Sequence, residues 1–101
     1  MHIDKDKIAS VLGFKRSDFD MLLTLFSQNA ATSLEEMKNG IDKKNMQSIA
    51  DSAHAIAGGA GNIQLNEIYE LAMTIELAAK KAENADYQLY CQQLKILLDS
   101  I

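Results

Sequence analysis

The chain has 101 residues, of which 48% are hydrophobic and 24% charged, with a formal net charge of −4. That length suits one domain around one modest core, and the composition excludes a disordered or low-complexity chain. The acidic balance excludes a general nucleic-acid binder, which needs a basic patch.

Proline is absent and strand punctuation is scarce, so the expected fold is all-helical. A short amphipathic segment runs from about Asp4 to Leu12 and ends near Gly13. Ser17 then reads as an N-cap, with Asp20 three residues on as a weak capping box. Phe19, Leu22, Leu23, Phe26, Ala30, Leu34, Met37 and Ile41 recur at steps of mostly three and four, one helical stripe from about 17 to 42. Gly40 inside that stripe allows the helix to end early. Lys43-Lys44-Asn45 reads as a turn with Asn45 as the next N-cap. Met46, Ile49, Ala53, Ile56, Ala60 and Ile63 form a second long stripe, and residues 62–66 a break. Leu65, Ile68, Ala72, Ile75, Ala79 and Ala82 form a third; Glu83-Asn84-Ala85 is a turn; Tyr87, Tyr90, Cys91, Leu94, Leu97 and Ile101 form the last. The connections are short, so successive helices should be antiparallel neighbours. The expected architecture is an up-down four-helix bundle with a short N-terminal helix, forming a single domain over residues 1–101.

Within the second long stripe, Ala53-His54-Ala55-Ile56-Ala57-Gly58-Gly59-Ala60-Gly61 sets one histidine among residues with almost no side chains. Each glycine in a helix interior costs about 1 kcal/mol relative to alanine. A helix that accepts this beside its histidine has a use for a bare surface there. On a helical wheel His54 falls about 120° from the centre of the apolar stripe, facing solvent. Its wheel neighbours Ala50, Ala57, Gly58 and Gly61 are all small. Gly58, one turn on, is the residue that would otherwise shade the ring. The plainer reading has its own weight: a lone exposed histidine is most often an ordinary surface residue, and small residues often serve close helix packing. On the third stripe Tyr69, Met73, Glu76 and Lys80 share one row. In an antiparallel pair Glu76 falls at a height similar to that of His54. A carboxylate there would accept from Nδ1–H and leave the Nε2 lone pair facing outward as a nucleophile.

Other chemistries find little support. His2 and Cys91 are remote from His54 and lack metal-ligand spacing, and there is no serine or cysteine nucleophile motif. No metal or cofactor is expected. The one cysteine precludes an internal disulfide, which is compatible with a reducing compartment. The start of the chain lacks the apolar core of a secretory signal, and no apolar run approaches the ~20 residues of a membrane span. The expected location is the cytoplasm. The start at Met1 and the lack of a kinase nucleotide motif favour a stand-alone protein.

The segment from Ala53 through Gly61-Asn62-Ile63-Gln64-Leu65 resembles the phosphohistidine segment of histidine-containing phosphotransfer (HPt) domains. Their usual pattern is Ala-His-x-Leu-Lys-Gly followed by small residues. The likeness extends over nearly the whole chain: the Phe19-to-Phe26 helix, the polar turn before Met46, the Leu71-to-Glu76 run and the final amphipathic helix fall where that family has them. The resemblance implies a four-helix bundle acting in two-component phosphorelays. His54 would be the phosphoacceptor, Gly58 the clearance residue, and Glu76 the counterpart of a Gln or Glu that bonds the histidine. Two departures stand out: Ala57 occupies the place of the family lysine, and Gln64 that of a small residue.

The resulting expectation is a carrier rather than an enzyme. A receiver-domain aspartyl phosphate would dock over the face around His54, and the group would pass on to another receiver. Any metal would belong to the receiver. The partners expected are response-regulator receivers or a hybrid sensor kinase, with no nucleic acid and no membrane, and the protein is expected to be a monomer. By wheel position, Ala50, Asp51, Ala57, Gly61, Tyr69 and Met73 would edge the docking surface. Lys80, one turn beyond Glu76, can pair with it and partly replace the missing lysine. The alternatives are a phosphorylation-dead module that binds receivers, or an unrelated helical adaptor.

Overall fold

Three short polar side chains set where helices begin. Asp4, Asn45 and Asp86 each accept a hydrogen bond from the backbone N–H three residues on, at 3.1, 3.1 and 3.0 Å. Each satisfies one of the donors that a helix start leaves free. The computed structural model describes residues 2–101 and contains five helices: α1 Lys5–Leu12, α2 Arg16–Asp42, α3 Met46–Asn62, α4 Asn66–Lys80 and α5 Tyr87–Asp99. Met1, on which the expectation of a stand-alone chain leaned, lies outside the described residues.

The predicted start of α2 needs correction. The helix begins at Arg16, and Lys15 occupies the N-cap position without a side-chain cap. Ser17 lies inside the first turn. Asp20 lies two residues past the capping-box position and pairs instead with Arg16 at 2.9 Å, and Arg16 also reaches Asp6 of α1 at 2.7 Å. That guanidinium ties the short helix to the long one. Gly40 does not end α2. It is buried, and a Cβ there would stand 3.0 Å from Ser48 Oγ, so glycine lets α3 start close against α2.

All four connections follow a helix end of one kind. A residue just past the last helical one adopts a left-handed conformation, one residue on at Gly13 and two on at Lys44, Gln64 and Ala82 (φ 78, 53, 56 and 51°). The next N–H then bonds back across the turn, from Phe14 to Ala9, Asn45 to Gly40, Leu65 to Ala60 and Glu83 to Ala78, at 2.8–3.0 Å. This is the Schellman arrangement, usually built on glycine. Only the first of the four has one. Ala82, expected on the apolar stripe, is therefore an exposed turn residue beyond the end of α4.

Helices α2 to α5 form the bundle, with α5 closing back onto α2, and α1 packs on α2. At 27 residues, α2 spans about 40 Å, close to the full 42 Å length of the molecule. The apolar stripes meet in one core that includes Phe19, Phe26, Met37, Ile49, Ile56, Leu65, Ile68, Ile75 and Leu94. The α3–α4 seam is the most extensive contact. The buried residues of both helices include small ones, Ala53, Ala57 and Ala60 on α3 and Ala72 and Ala79 on α4, which let the two backbones come close. That closeness positions the site.

Candidate functional site

His54 lies on the outer flank of α3, with its side chain 73% exposed, while Glu76 on α4 is 3% exposed. The two meet across the seam, with Nδ1 3.0 Å from Glu76 Oε2. An ionised carboxylate only accepts, so Nδ1 carries the proton and donates it. The Nε2 lone pair then points into solvent. Lys80 Nζ reaches the same Oε2 from one turn along α4, at 2.6 Å. One carboxylate oxygen thus joins a histidine on one helix and a lysine on the next.

The second oxygen, Oε1, is buried with no hydrogen-bond partner. Burial pushes the Glu76 carboxyl toward a higher pKa. The hydrogen bonds from Lys80 and His54 and their charges more than offset this, and the carboxyl lies below its ordinary value of 4.5. Ser52 and Glu76 are the buried polar side chains among the described residues. Ser52 is satisfied by the carbonyls of Ser48 and Ile49 within its own helix. Glu76 instead looks across to another helix and keeps one oxygen bare, a costly arrangement that a purely structural core would replace with an apolar side chain.

Gly58 leaves the imidazole unshaded. A Cβ built there meets nothing within 4 Å. Gly61, two turns beyond His54, does a different job. A Cβ there would stand 3.1 Å from Tyr69 Cδ1, so the Tyr69 ring from α4 lies against this bare stretch of α3. Tyr69 remains 40% exposed, and Met73 is half-buried against the core.

The predicted docking rim is corrected in two places. Ala50 and Ala57 are each 2% exposed; both face inward along the seams of α3 and offer no surface. The burial of Ala57 also changes what the missing lysine means, since a long side chain there would have to thread out of the α3 packing to reach water. Asp51 is exposed and accepts from Gln47 Nε2 at 2.8 Å.

Sequence reasoning missed the other flank of the histidine. Between α2 and α3 runs a groove of about 390 Å³ lined by Leu22, Leu25, Asn29, Ala55, Gly59 and Asn62 among others. Ala55 adjoins His54 in the chain. Met21 and Leu25 on α2 are 71% and 54% exposed. The signal was present: both are apolar residues off the α2 stripe, spaced i,i+4 on one outward face. Among the described residues no three His, Cys, Asp or Glu side chains cluster closely enough to hold a metal ion. Nor is any helix long and apolar enough to cross a membrane.

Comparison with known proteins agrees with this geometry. No curated protein matches the chain. The crystal structure of histidine-containing phosphotransfer protein B (HptB) from Pseudomonas aeruginosa PAO1 superposes with a TM-score of 0.84 at 18% identity, covering 97% of this chain and 85% of that one. At that identity the likeness establishes the shared helical-bundle fold. The family model described as the Hpt domain matches residues 21–101, from the first turns of α2 to the end of the chain. The chain therefore belongs to the Hpt domain family, and its function is phosphotransfer in two-component signalling.

Proposed function

We propose that His54 is the phosphoacceptor of a phosphorelay intermediate, taking the group from a receiver-domain aspartyl phosphate and passing it to a second receiver. The observation that carries this reading is the exposed imidazole held by its inner nitrogen, Nδ1, against buried Glu76 Oε2 at 3.0 Å. The outer nitrogen is left as an oriented lone pair.

In the forward step Nε2 attacks phosphorus in line, and the Nε2–P bond forms as the aspartyl O–P bond breaks. The aspartate leaves as a carboxylate with the bonding electron pair. The Nδ1 proton stays on the ring, which becomes cationic as the bond forms. Glu76 faces that developing charge and is already in place, so no reorganisation is needed at the moment of reaction. The reverse step runs through the same geometry with a different aspartate. This chain orients the nucleophile and offers a bare surface, so it acts as substrate and carrier rather than as an enzyme. The whole chain works as one module and as a monomer.

Docking uses both flanks of His54. The apolar groove beside Leu22 and Leu25 provides the larger contact, and Asp51 stands at the polar rim. Gly58 leaves room for the receiver's phosphoryl-bearing loop to reach the ring.

The decisive experiment incubates the protein with phosphorylated receivers and tests for acid-labile, base-stable label, beside His54→Gln. Label on the native protein and none on the variant is the expected result. Equal label on both removes His54 from the chemistry. Receiver binding with no label on either would establish a receiver-binding module without transfer.

A further inference from the structure

We infer that Lys80 is a positioning residue for the phosphotransfer site, fixing the Glu76 carboxylate against His54 and balancing its charge when the phosphoryl group arrives. The inference rests on His54 being the phosphoacceptor and assigns the missing cation to α4 rather than α3.

Three observations carry it. The Lys80–Glu76 contact, at 2.6 Å, is the shortest ion pair among the described residues. It also differs in kind from the other i,i+4 pairs. Lys95–Asp99 and Arg16–Asp20 join two exposed side chains, an arrangement worth little. Lys80 instead reaches down to a carboxylate that is 3% exposed. Finally, its contact is to the same oxygen that receives the His54 proton, while Oε1 has no partner. With Oε1 unheld, Lys80 is the group on α4 that keeps Oε2 aimed across the seam. Without it, rotation of the carboxylate would cost only the histidine bond.

The charge count points the same way. Transfer adds a phosphoryl group with a net negative charge to the imidazole. Glu76 favours the cationic ring through Nδ1 but stands as a negative charge near the phosphoryl group, and pairing with Lys80 offsets that opposition. The other charged group on α3 near this face is Asp51, one turn before His54, and it adds to the opposing charge. Ala57, where the family pattern has lysine, contributes none and faces inward. The ammonium that offsets Glu76 thus comes from Lys80, whose side chain is 58% exposed.

The test compares the native protein with Lys80→Met and Lys80→Arg. Nitrogen-15 NMR of the unphosphorylated imidazole reads the tautomer and the Nδ1–H hydrogen bond. The transfer equilibrium with a phosphorylated receiver reads the charge balance. Lys80→Met should weaken the Nδ1–H signal and move the equilibrium about two- to five-fold toward the receiver at low salt. Lys80→Arg should restore both. In a Glu76→Gln background Lys80→Met should have a smaller effect on the equilibrium, because the action runs through the carboxylate. An unchanged Nδ1–H signal together with an unchanged equilibrium in Lys80→Met overturns the inference. If the native protein takes no label at His54, the functional reading fails separately. The NMR arm then decides alone whether Lys80 positions the pair, and an unaltered signal overturns it there as well.

Discussion

Gly58 and Gly59 are neighbours on α3 with opposite surroundings: a Cβ at Gly58 meets nothing within 4 Å, whereas one at Gly59 would stand 2.8 Å from Phe26 Cδ1. One glycine keeps a surface clear and the other lets a core ring pack against the backbone. Their substitutions should therefore have opposite signs. Gly58→Ala should stabilise the protein by about 1 kcal/mol, the helix propensity gained in an open position. Gly59→Ala gains the same propensity but overpacks against Phe26, a cost of ~1–3 kcal/mol, and should be destabilising by about 1 kcal/mol net. Urea denaturation of the two variants measures both. Equal gains would mean that Phe26 moves aside freely.

The same contrast separates stability from function at Gly58. Gly58→Gln should raise stability by about 0.5 kcal/mol and yet cut the rate of phosphotransfer at least tenfold, because the new side chain stands over the ring one turn earlier. Transfer rate and melting behaviour measured on one preparation check this. An unimpaired rate in a well-folded Gly58→Gln protein would remove clearance from the account of the site.

The two flanks of His54 make distinguishable predictions for receiver binding. Leu25→Asp removes an apolar contact from the α2 side without disturbing the core, since Leu25 is 54% exposed. It should weaken receiver affinity by about tenfold, the size of one good interface contact. Asp51→Lys should change affinity in a salt-dependent manner, as rim charges do. Ile96→Asp on α5 is the control: Ile96 is 68% exposed on a helix that packs against α2 and α4 and not α3, and its substitution should leave binding unchanged. Titration of a receiver against the three variants ranks them. If Leu25→Asp and Ile96→Asp behave alike, the groove between α2 and α3 is not the docking surface.

Much of this arrangement could be read from the sequence, because it depends on periodicity. The stripes of α2 to α5 gave the bundle, the wheel placed His54 on the outside, and the antiparallel pairing put Glu76 at its height. Three things could not be read this way. The start of α2 was masked because Lys15 takes the N-cap position without a side-chain cap, while Ser17 and Asp20, spaced like a capping box, lie inside the helix. The turns around Lys44 and Gln64 were legible from their polar residues, but the left-handed turn at Ala82 carries no glycine to announce it, so the end of α4 was placed too late. The burial of Ala50 and Ala57 depends on how closely α3 approaches its neighbours. A wheel gives the direction of a side chain but not the distance to the next helix, and small residues are the ones for which that distance decides exposure.

The depressed carboxyl of Glu76 makes a pH prediction with a definite sign. A group whose pKa is lower in the folded protein contributes stability above its unfolded value, and this is lost as pH falls through the folded one. The quantity to follow is the difference in unfolding free energy between the native protein and Glu76→Gln. It should move against the native protein as pH drops below about 4.5, the ordinary carboxyl value. Denaturation at a series of pH values gives the curve. A difference that stays flat through the acid range would show that Lys80 and His54 do not hold the carboxylate in its ionised form.

The turn that follows α4, two residues beyond Lys80, makes a prediction about stability. Ala82 adopts φ 51° in the turn after α4, where its Cβ crowds the backbone at a cost of ~1–2 kcal/mol. Glycine removes that strain but gives the unfolded chain more freedom, worth about 0.4–1 kcal/mol. The balance favours Ala82→Gly by about 0.5–1 kcal/mol. The turn's hydrogen bonds, Ala82 N–H to Ala79 and Glu83 N–H to Ala78, are between backbone groups and survive the change. Ala82 is exposed, so no packing is lost. Gln64→Gly offers the same backbone relief (φ 56°) at the α3–α4 turn, where Gln64 is half-buried, so it also loses side-chain packing and should gain less. A higher urea midpoint for Ala82→Gly with unchanged m-value is the expected result. A lower midpoint would mean that the left-handed residue is held by something other than the backbone bonds of the turn.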